Sequence, residues 1–476
     1  MKYLVRTLGC KANLSDSQLI EAQLQAKGWQ SADVRGGKPS GVDLCIINSC
    51  TVTDEADRQS RKLASKMARD FPAASIVVTG CAAEVDPERL AASVGIHYVV
   101  GNQNKPRLVD FVIEALEKDR VRERPASELG RVLGSAAAYE ELRSKHPMDR
   151  EWPAPEGTFA LPAVETAKTR AFLKIQEGCN AFCTYCVIPY GRGPARSLQI
   201  SEVVAQIQTL VAQGVREVIL TGTNIGDYGV DWQEGTLAID ALLTGIFEQT
   251  TLERLRISSL DPTEITPAML RLVETEPRFC PHFHVSLQSP HPRILKLMKR
   301  KYGAEQVEDC LKKIAALKPA GNLPGGVFVG MDVIAGFPGE TDEEFEWTLQ
   351  TLRSLPWSRL HVFPYSERKG TPATRLPHSV PLSVRNERAR VLRELSLDRL
   401  RSQFSNLKSL ETLELSQILM EKNVKGPDGE RVWAAGYTPN YQRVLVRQTG
   451  LANRLISATP KEWLEDTASG DLTWLA

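Results

Sequence analysis

Long hydrophobic runs are missing from this sequence. None approaches the ~18 consecutive apolar residues of a membrane-crossing helix. Met1-Lys-Tyr-Leu-Val enters an apparent strand with no signal-peptide core ahead of it. Both absences point to a cytosolic chain without a membrane partner. A charge excess is missing too, since 59 Lys and Arg face 58 Asp and Glu for a formal net charge of +1. Any nucleic-acid partner must therefore be met by local basic patches. An even cysteine count is also lacking. The nine cysteines include two spaced triplets in a leaderless chain, which favours metal binding over disulfides. What remains is ordinary for a soluble protein, with 42% hydrophobic and 25% charged residues. A length of 476 residues predicts two or three domains.

The most informative stretch is Ile175-Gln-Glu-Gly-Cys179-Asn-Ala-Phe-Cys183-Thr-Tyr-Cys186. Its cysteines follow C-x-x-x-C-x-x-C spacing directly after the apolar run Ala171-Phe-Leu-Lys-Ile, which puts the thiols on a loop at the C-terminal end of a strand. Three thiolates can hold three irons of a 4Fe–4S cluster and leave the fourth open to a small molecule. Structural zinc wants four ligands, and no fourth Cys or His lies close by, the nearest downstream His being His282.

The first hundred residues repeat one unit: a short apolar strand, a cysteine, then a helix. Tyr3–Leu8 ends at Gly9-Cys10, with Asn13 and Ser15 as caps for a helix through Ala26. Asp43–Ile47 ends at Asn48-Ser-Cys50, before a helix from about Asp54 to Arg69. Ser75–Thr79 ends at Gly80-Cys81, and Asp86-Pro87 opens the next helix. A fourth strand at His97–Val100 precedes a helix over Leu108–Lys118. Such alternation implies a parallel sheet, whose ligands bind beyond the carboxyl ends of the strands. Cys10, Cys50 and Cys81 all follow strands, so the topology gathers them into a second three-thiolate site. Cys45, inside its strand, and Cys310, on the apolar helical face of Val307, Leu311 and Ile314, read as core.

Between Val121 and Thr169 the periodicity fails; residues 121–167 read as linker, with short helices around Ala136 to Lys145. Six strand–helix units follow in residues 168–408, with strands at Ala171–Ile175, Glu217–Leu220, Leu255–Ser258, Phe283–Leu287, Val327–Ile334 and Leu360–Phe363. Six repeats are too few for a closed eight-stranded barrel, so an open partial (βα)6 barrel of TIM type is expected, with its chemistry at the strand C-termini. Thr221-Gly-Thr-Asn224, Ser258-Ser-Leu-Asp-Pro262, Ser286-Leu-Gln288, Ala335-Gly-Phe-Pro-Gly-Glu340 and Pro364-Tyr-Ser366 all sit there. A long helix after Leu382 carries Arg385, Arg388, Arg393, Arg399 and Arg401. It reads either as the wall of a nucleic-acid path or as a solvated helix with i,i+4 pairs. Residues 409–476 turn β-rich, with five short strands suited to a small barrel. Such barrels often bind RNA through basic and aromatic residues; Tyr437, Tyr441, Arg443 and Arg447 are candidates, with plain packing as the alternative.

Two cysteine triplets in this order, followed by a small barrel, resemble the radical S-adenosylmethionine methylthiotransferases. The resemblance is carried by Thr7-Leu-Gly-Cys-Lys11, Asn48-Ser-Cys-Thr-Val-Thr53, Thr79-Gly-Cys81, Glu177-Gly-Cys-Asn180, Arg192-Gly-Pro-Ala-Arg-Ser197 and Gly336-Phe-Pro-Gly-Glu-Thr341. Within the family, Leu8–Asn13, His361–Thr371 and Gly436–Tyr441 resemble the MtaB-like branch, which acts on N6-threonylcarbamoyladenosine at tRNA position 37. Leu14 and Leu198 depart from that branch's usual residues, as does the long linker; no ligand is lost.

The resemblance implies an α/β chain with an N-terminal methylthiotransferase domain (1–120), a radical S-adenosylmethionine barrel (168–408) and a TRAM-like barrel (409–476). It implies two 4Fe–4S clusters, on Cys179, Cys183 and Cys186 and on Cys10, Cys50 and Cys81. S-adenosylmethionine would be held by Thr221, Gly222 and Asn224 at its amino group, Arg196 at its carboxylate and Ala335 to Gly339 (Gly336, Pro338 and Gly339 among them) at its adenine, with Ser258 nearby. The adenine C2 hydrogen is not acidic, so a 5′-deoxyadenosyl radical removes it, and the second cluster carries the sulfur. Implied partners are the tRNA anticodon loop and a one-electron donor such as a flavodoxin or ferredoxin; the sulfur donor stays open. Arg368 and Lys369, at the barrel mouth, are expected to read the threonine carboxylate. Rival substrates are isopentenyladenosine in tRNA and a ribosomal-protein aspartate. A non-catalytic RNA-binding metalloprotein is the rival of another class, and two incomplete ligand sets argue against it.

Overall fold

A computed structural model describes residues 1–32, 41–120, 130–133, 169–232, 238–321, 323–408, 413–427, 429, 432–466 and 471–476. The helices expected around Ala136 to Lys145 and the start of the last domain at 409 lie outside the described residues. Among the described residues no helix is long and apolar enough to cross a membrane.

The N-terminal sheet has six parallel strands in the order Gln30–Ser31, Lys2–Thr7, Leu44–Ser49, Ser75–Gly80, Tyr98–Val100, Arg131–Leu133. Strand residues alternate between two faces, and both are covered. Cys45, Ile47, Ile76 and Val78 pack on Ala64 and Met67 of helix Asp54–Asp70. Leu44, Ile46 and Val77 pack on Ile20 and Leu24 of helix Lys11–Ala26 and on Leu108 and Val112 of helix Leu108–Arg120. Double burial explains the nearly continuous apolar runs. Thr53 caps Asp54–Asp70 by accepting the Ala56 N–H at 3.1 Å. The expected caps Asn13 and Ser15 do not serve: the helix begins at Lys11 with Cys10 at its N-cap, and both lie inside it. Arg131–Leu133, within the stretch read as linker, adds a sixth strand.

The central domain splits its six parallel strands into two sheets, Arg254–Ile257/Glu217–Thr221/Arg170–Lys174 and His282–Gln288/Phe328–Ala335/Arg359–Pro364. Isolated parallel bridges, Leu255 to Phe279 and Leu260 to Val285, join the halves. Helix Lys11–Ala26 of the first domain packs on the outer strand Arg170–Lys174, where Lys11 Nζ stands 5.9 Å from the Phe172 ring centre.

Helix Leu382–Lys408 carries the expected exposed i,i+4 pair, Arg390 with Glu394, but most of the arginines singled out in the sequence face protein. Arg385 donates to the Val380 and Tyr365 carbonyls at 2.6 and 3.1 Å. Arg388 pairs with Glu340 at 2.6 Å and Asp342 at 2.7 Å. Arg393 donates to the Val362 carbonyl at 3.0 Å. Arg399 lies 3.8 Å over the Trp357 ring and donates to the Leu355 and Arg353 carbonyls. Arg401 stays outside, paired with Glu465 at 2.9 Å. Spacing along one helix shows which charges can pair with each other but not which face another element.

The C-terminal domain is a six-stranded sheet ordered Leu455–Ala458, Leu415–Val424, Trp433–Tyr437, Arg443–Val446, Asp471–Leu475, Glu462–Asp466. The sixth strand, Glu-Trp-Leu-Glu-Asp, has no clean alternation to announce it. Phe404 of the long helix stacks on Trp474 at 4.6 Å, a stacking worth about 0.5–1.5 kcal/mol beyond area burial. This sheet is bolted to the start of the barrel strands. Arg254 donates to the Gln417, Tyr437 and Thr438 carbonyls at 3.0–3.2 Å, and Arg256 to the Pro439 carbonyl at 2.9 Å. Tyr437 and Tyr441 stack on each other and sit under Arg170, Tyr441 also under Arg256. Both tyrosines are thus domain-interface residues, and Arg443 reaches Thr473 at 3.5 Å.

Candidate functional site

Cys179, Cys183 and Cys186 lie on the loop after the first barrel strand. The pair Gln176–Glu177/Arg196–Ser197 closes its base, and the Cys179 N–H donates to the Gly193 carbonyl at 3.1 Å. Gly178 has φ +74°, and a Cβ there would stand 1.8 Å from the Pro194 carbonyl oxygen, so only glycine fits. Ala181 N–H points at Cys179 Sγ at 3.4 Å and Ile188 N–H at Cys186 Sγ at 3.5 Å. Such donors stabilise negative sulfur in an iron–sulfur centre. Arg300, which sequence reading missed, donates to Cys183 Sγ at 3.0 Å and is salt-bridged to Asp261. It lies 117 residues from Cys183, beyond any local pattern. Burial pushes the Cys179 thiol up to about 12 and raises Cys186 as well.

The second triplet is gathered as the topology predicts. Cys10 caps helix Lys11–Ala26, Cys50 follows strand Leu44–Ser49, and Cys81 starts helix Cys81–Val85 after Ser75–Gly80. Close approach is enforced by two glycines in the left-handed region. A Cβ on Gly9 would stand 2.7 Å from Cys50 Sγ, and one on Gly80 2.3 Å from the Ser49 carbonyl oxygen. Burial first, then the neighbouring Cys81 and Cys10, push the Cys50 thiol up to about 12.

Both sets offer three thiols, the donor set of a 4Fe–4S cluster with one open iron, where structural zinc takes four ligands. One zinc ion at ~2.3 Å from each sulfur would pull thiolates to within about 4 Å of one another. Among the described residues no group of three or more His, Cys, Asp or Glu is arranged to hold one ion. The raised thiols are poor free nucleophiles, and bound iron would supply the charge that deprotonates them.

The expected S-adenosylmethionine residues lie at the ends of the barrel strands and on the segments beside them. Thr221 ends the second barrel strand and Ser258 follows the third, both buried. The loop Gly222–Asn224 is shaped by Gln176, a residue the sequence did not single out. Its Oε1 accepts from Thr223 and Asn224 N–H at 3.0 and 2.8 Å, and its Nε2 donates to the Glu177 and Gly178 carbonyls at 3.1 and 2.8 Å. Asn224 donates to Asp227 at 2.7 Å. Arg196 lies on the strand next to Glu177 and leaves a buried Nε without a partner among the described residues. Gly336 and Pro338 flank Phe337, whose ring meets Tyr185 of the cysteine loop at 6.3 Å. That segment is held by Glu340, which accepts the Gly336 N–H at 2.8 Å and Arg388 at 2.6 Å. Gly339 faces away, with its N–H on the His378 carbonyl and its own carbonyl taken by Arg293. Arg368 is not available for a substrate carboxylate. It is buried and spent on Thr51, on Asp54 at 2.7 Å and on Asp57 at 3.7 Å, clamping the barrel to the N-terminal domain. Lys369 is exposed.

The five-residue helix Ile188–Arg192 spans the two triplets. It opens two residues after Cys186, and at its far end a Cβ on Gly191 would stand 3.4 Å from Cys81 Cβ.

Comparison with known proteins agrees with this geometry. Residues 173–352 match the Radical SAM superfamily and residues 2–101 the uncharacterized protein family UPF0004. The chain is 35% identical to the threonylcarbamoyladenosine tRNA methylthiotransferase MtaB of Bacillus subtilis (strain 168) over 448 residues, which cover 93% of this chain and 90% of that protein. It is 30% identical to the tRNA-2-methylthio-N(6)-dimethylallyladenosine synthase of Novosphingobium aromaticivorans over 428 residues, covering 89% and 88%. The fold resembles the radical S-adenosylmethionine methyltransferase TsrM from Kitasatospora setae, with a TM-score of 0.52, 17% identity and coverage of 78% and 75%. Two cysteine sets on adjoining α/β domains and relatives spanning nearly the whole chain lead to one assignment: this protein belongs to the radical S-adenosylmethionine methylthiotransferase family.

Proposed function

We propose that the protein, in the cytoplasm, adds a methylthio group to C2 of N6-threonylcarbamoyladenosine at position 37 of tRNA, with electrons from a flavodoxin- or ferredoxin-like donor. The observation that carries the chemistry is the joining of the two triplets through Ile188–Arg192. The N6-threonylcarbamoyl substrate is supported by the higher identity to the relative of that name. When bound, the cluster on Cys179, Cys183 and Cys186 would supply the electron that cleaves S-adenosylmethionine, the cluster on Cys10, Cys50 and Cys81 would carry the sulfur that is transferred, and a second S-adenosylmethionine would supply its methyl.

The chain's own residues bind, orient and exclude water. Gln176 fixes the Gly222–Asn224 backbone, Glu340 fixes Gly336–Pro338, and Arg300 with the Ala181 and Ile188 amides surrounds the sulfurs of the first triplet. Exposed cations supply phosphate contacts: Lys62, Lys66 and Arg69 on helix Asp54–Asp70, and Lys422 and Lys425 in the C-terminal sheet domain. A base beside the anticodon can be splayed from its loop into a pocket.

The test is turnover of three tRNAs by the same reduced, reconstituted enzyme, bearing N6-threonylcarbamoyladenosine, isopentenyladenosine or unmodified adenosine. Only the first is expected to yield a methylthio nucleoside, because a site built for a polar group leaves its own donors unpaired without it. Equal or better turnover of the isopentenylated tRNA overturns the substrate assignment.

A further inference from the structure

A buried charged network lies between the two cysteine triplets. Asp16 of the N-terminal domain accepts from Lys105 at 2.6 Å, from Lys174 and from Arg192 at 3.3 Å. Glu177, two residues before Cys179, accepts from Lys174 and Arg192. All five side chains are at most 9% exposed. Three cations therefore meet two anions, with the buried Glu84 carboxyl, which burial raises to about 7, also in electrostatic reach of Lys105. Such an arrangement is costly unless another anion faces it.

Arg192 occupies a special place in this set. It ends the helix that opens just after Cys186, and the preceding Gly191 abuts Cys81. Its Nη2 donates to Asn13 Oδ1 at 2.5 Å. The same Asn13 amide donates to the Leu8 carbonyl at 2.7 Å and the Ser49 carbonyl at 2.9 Å, so it ties down the backbone two residues before Cys10 and one before Cys50. Arg192 also lies within electrostatic reach of Cys81.

We infer that Arg192 is a positioning residue for the second triplet: from the radical domain it orients the Cys10 and Cys50 loops through Asn13 and supplies the positive charge that an anionic cluster on Cys10, Cys50 and Cys81 faces. This rests on the reading of that triplet as a cluster site. Outer-shell donors and local charge set the potential of such centres. A nearby cation favours the reduced, more negative state, and a nearby anion disfavours it.

The experiment uses the full-length chain with Cys179, Cys183 and Cys186 replaced by Ala, so that iron taken up on anaerobic reconstitution reports the second triplet alone. Iron and sulfide content and the midpoint potential, from an EPR-monitored redox titration, are measured for this parent and for added Arg192→Gln, Arg192→Lys and Glu177→Gln. At equal iron content, Arg192→Gln should lower the potential, Glu177→Gln should raise it, and Arg192→Lys should stay close to the parent. Opposite shifts mark charge, which a merely loosened fold does not produce. Shifts of the same sign, or none, overturn the inference. Should Arg192→Gln not fold, Asp16→Asn joins Glu177→Gln, and both must raise the potential; a fall or no change in either is the overturning result. A parent that takes up no cluster iron would overturn the cluster reading itself, and the inference with it.

Discussion

Glu217→Gln is the sharpest perturbation of the joint between barrel and C-terminal domain. The Glu217 carboxylate is fully buried, with Arg254 at 2.7 Å, Arg256 at 3.1 Å and Arg170 at 3.7 Å. Burial alone would raise its pKa. Arg256, Arg254 and Arg170 outweigh burial and bring it from 4.5 to about 2. At ~1.4 kcal/mol per tenfold change in proton affinity, that depression corresponds to about 3 kcal/mol. An independent expectation agrees, since removing one partner of a buried ion set costs about 3–5 kcal/mol. The guanidinium groups left without their counter-ion also hold the Tyr437, Thr438 and Pro439 carbonyls. The loss should appear there first. Native-state hydrogen exchange at the Thr438 and Tyr441 amides, each hydrogen-bonded at 3.0 Å, should speed up by on the order of a hundredfold. The pH dependence has a definite sign. The folded pKa lies below the unfolded one, so the stabilisation is full above about pH 4.5 and disappears as pH falls towards 2. The variant should lack this acid-dependent component. Unchanged exchange at Thr438 and Tyr441, with an unchanged acid limb, would refute the reasoning.

Three further outcomes follow from the site. Arg300→Leu removes the donor at 3.0 Å from Cys183 Sγ; with charge-assisted bonds worth about 1.5–3 kcal/mol, 5′-deoxyadenosine formation should fall roughly 10- to 100-fold, and an undiminished rate would remove Arg300 from the site. Gln176→Leu strands the Thr223 and Asn224 amides, and S-adenosylmethionine binding measured by equilibrium dialysis should weaken about tenfold; unaltered affinity would show that the loop needs no such brace. Replacing Lys62, Lys66 and Arg69, or Lys422 and Lys425, by Glu should weaken tRNA binding at low salt. It should also flatten the salt dependence by roughly 0.9 in log–log slope for each duplex phosphate no longer neutralised. A slope that neither set changes would place the RNA elsewhere. Point substitutions are the right probe, because truncating the C-terminal domain would uncover the buried Arg254 and Arg256.

Local patterns reached the cysteines and little beyond them. Cys10, Cys50 and Cys81 were legible because each ends a strand, and a parallel sheet brings strand ends together whatever the sequence separation. Cys45 was legible as core because it lies inside its strand, and Cys310 because helical periodicity placed it on an apolar face. Arg192, Arg300, Gln176 and Glu340 act through partners that only the folded chain supplies. Arg192 and Asn13, for example, are 179 residues apart. Arg368 illustrates the opposite error, and Tyr441 follows the packing alternative given for it. An arginine and an aromatic near a site or on a small β domain suggest RNA, yet both are consumed at domain interfaces. Composition records the charge but not what faces it. The short strands Arg131–Leu133 and Glu462–Asp466 are stabilised by neighbouring strands rather than by their own alternation.

The central claim is that two cysteine sets divide one reaction between them. The most direct measurement quantifies 5′-deoxyadenosine and methylthio nucleoside together, on tRNA bearing N6-threonylcarbamoyladenosine, for the parent enzyme, Cys183→Ala and Cys50→Ala. Cys183→Ala should yield neither product. Cys50→Ala should still form 5′-deoxyadenosine while yielding no methylthio nucleoside. Parent-level methylthio nucleoside from Cys50→Ala would contradict the account.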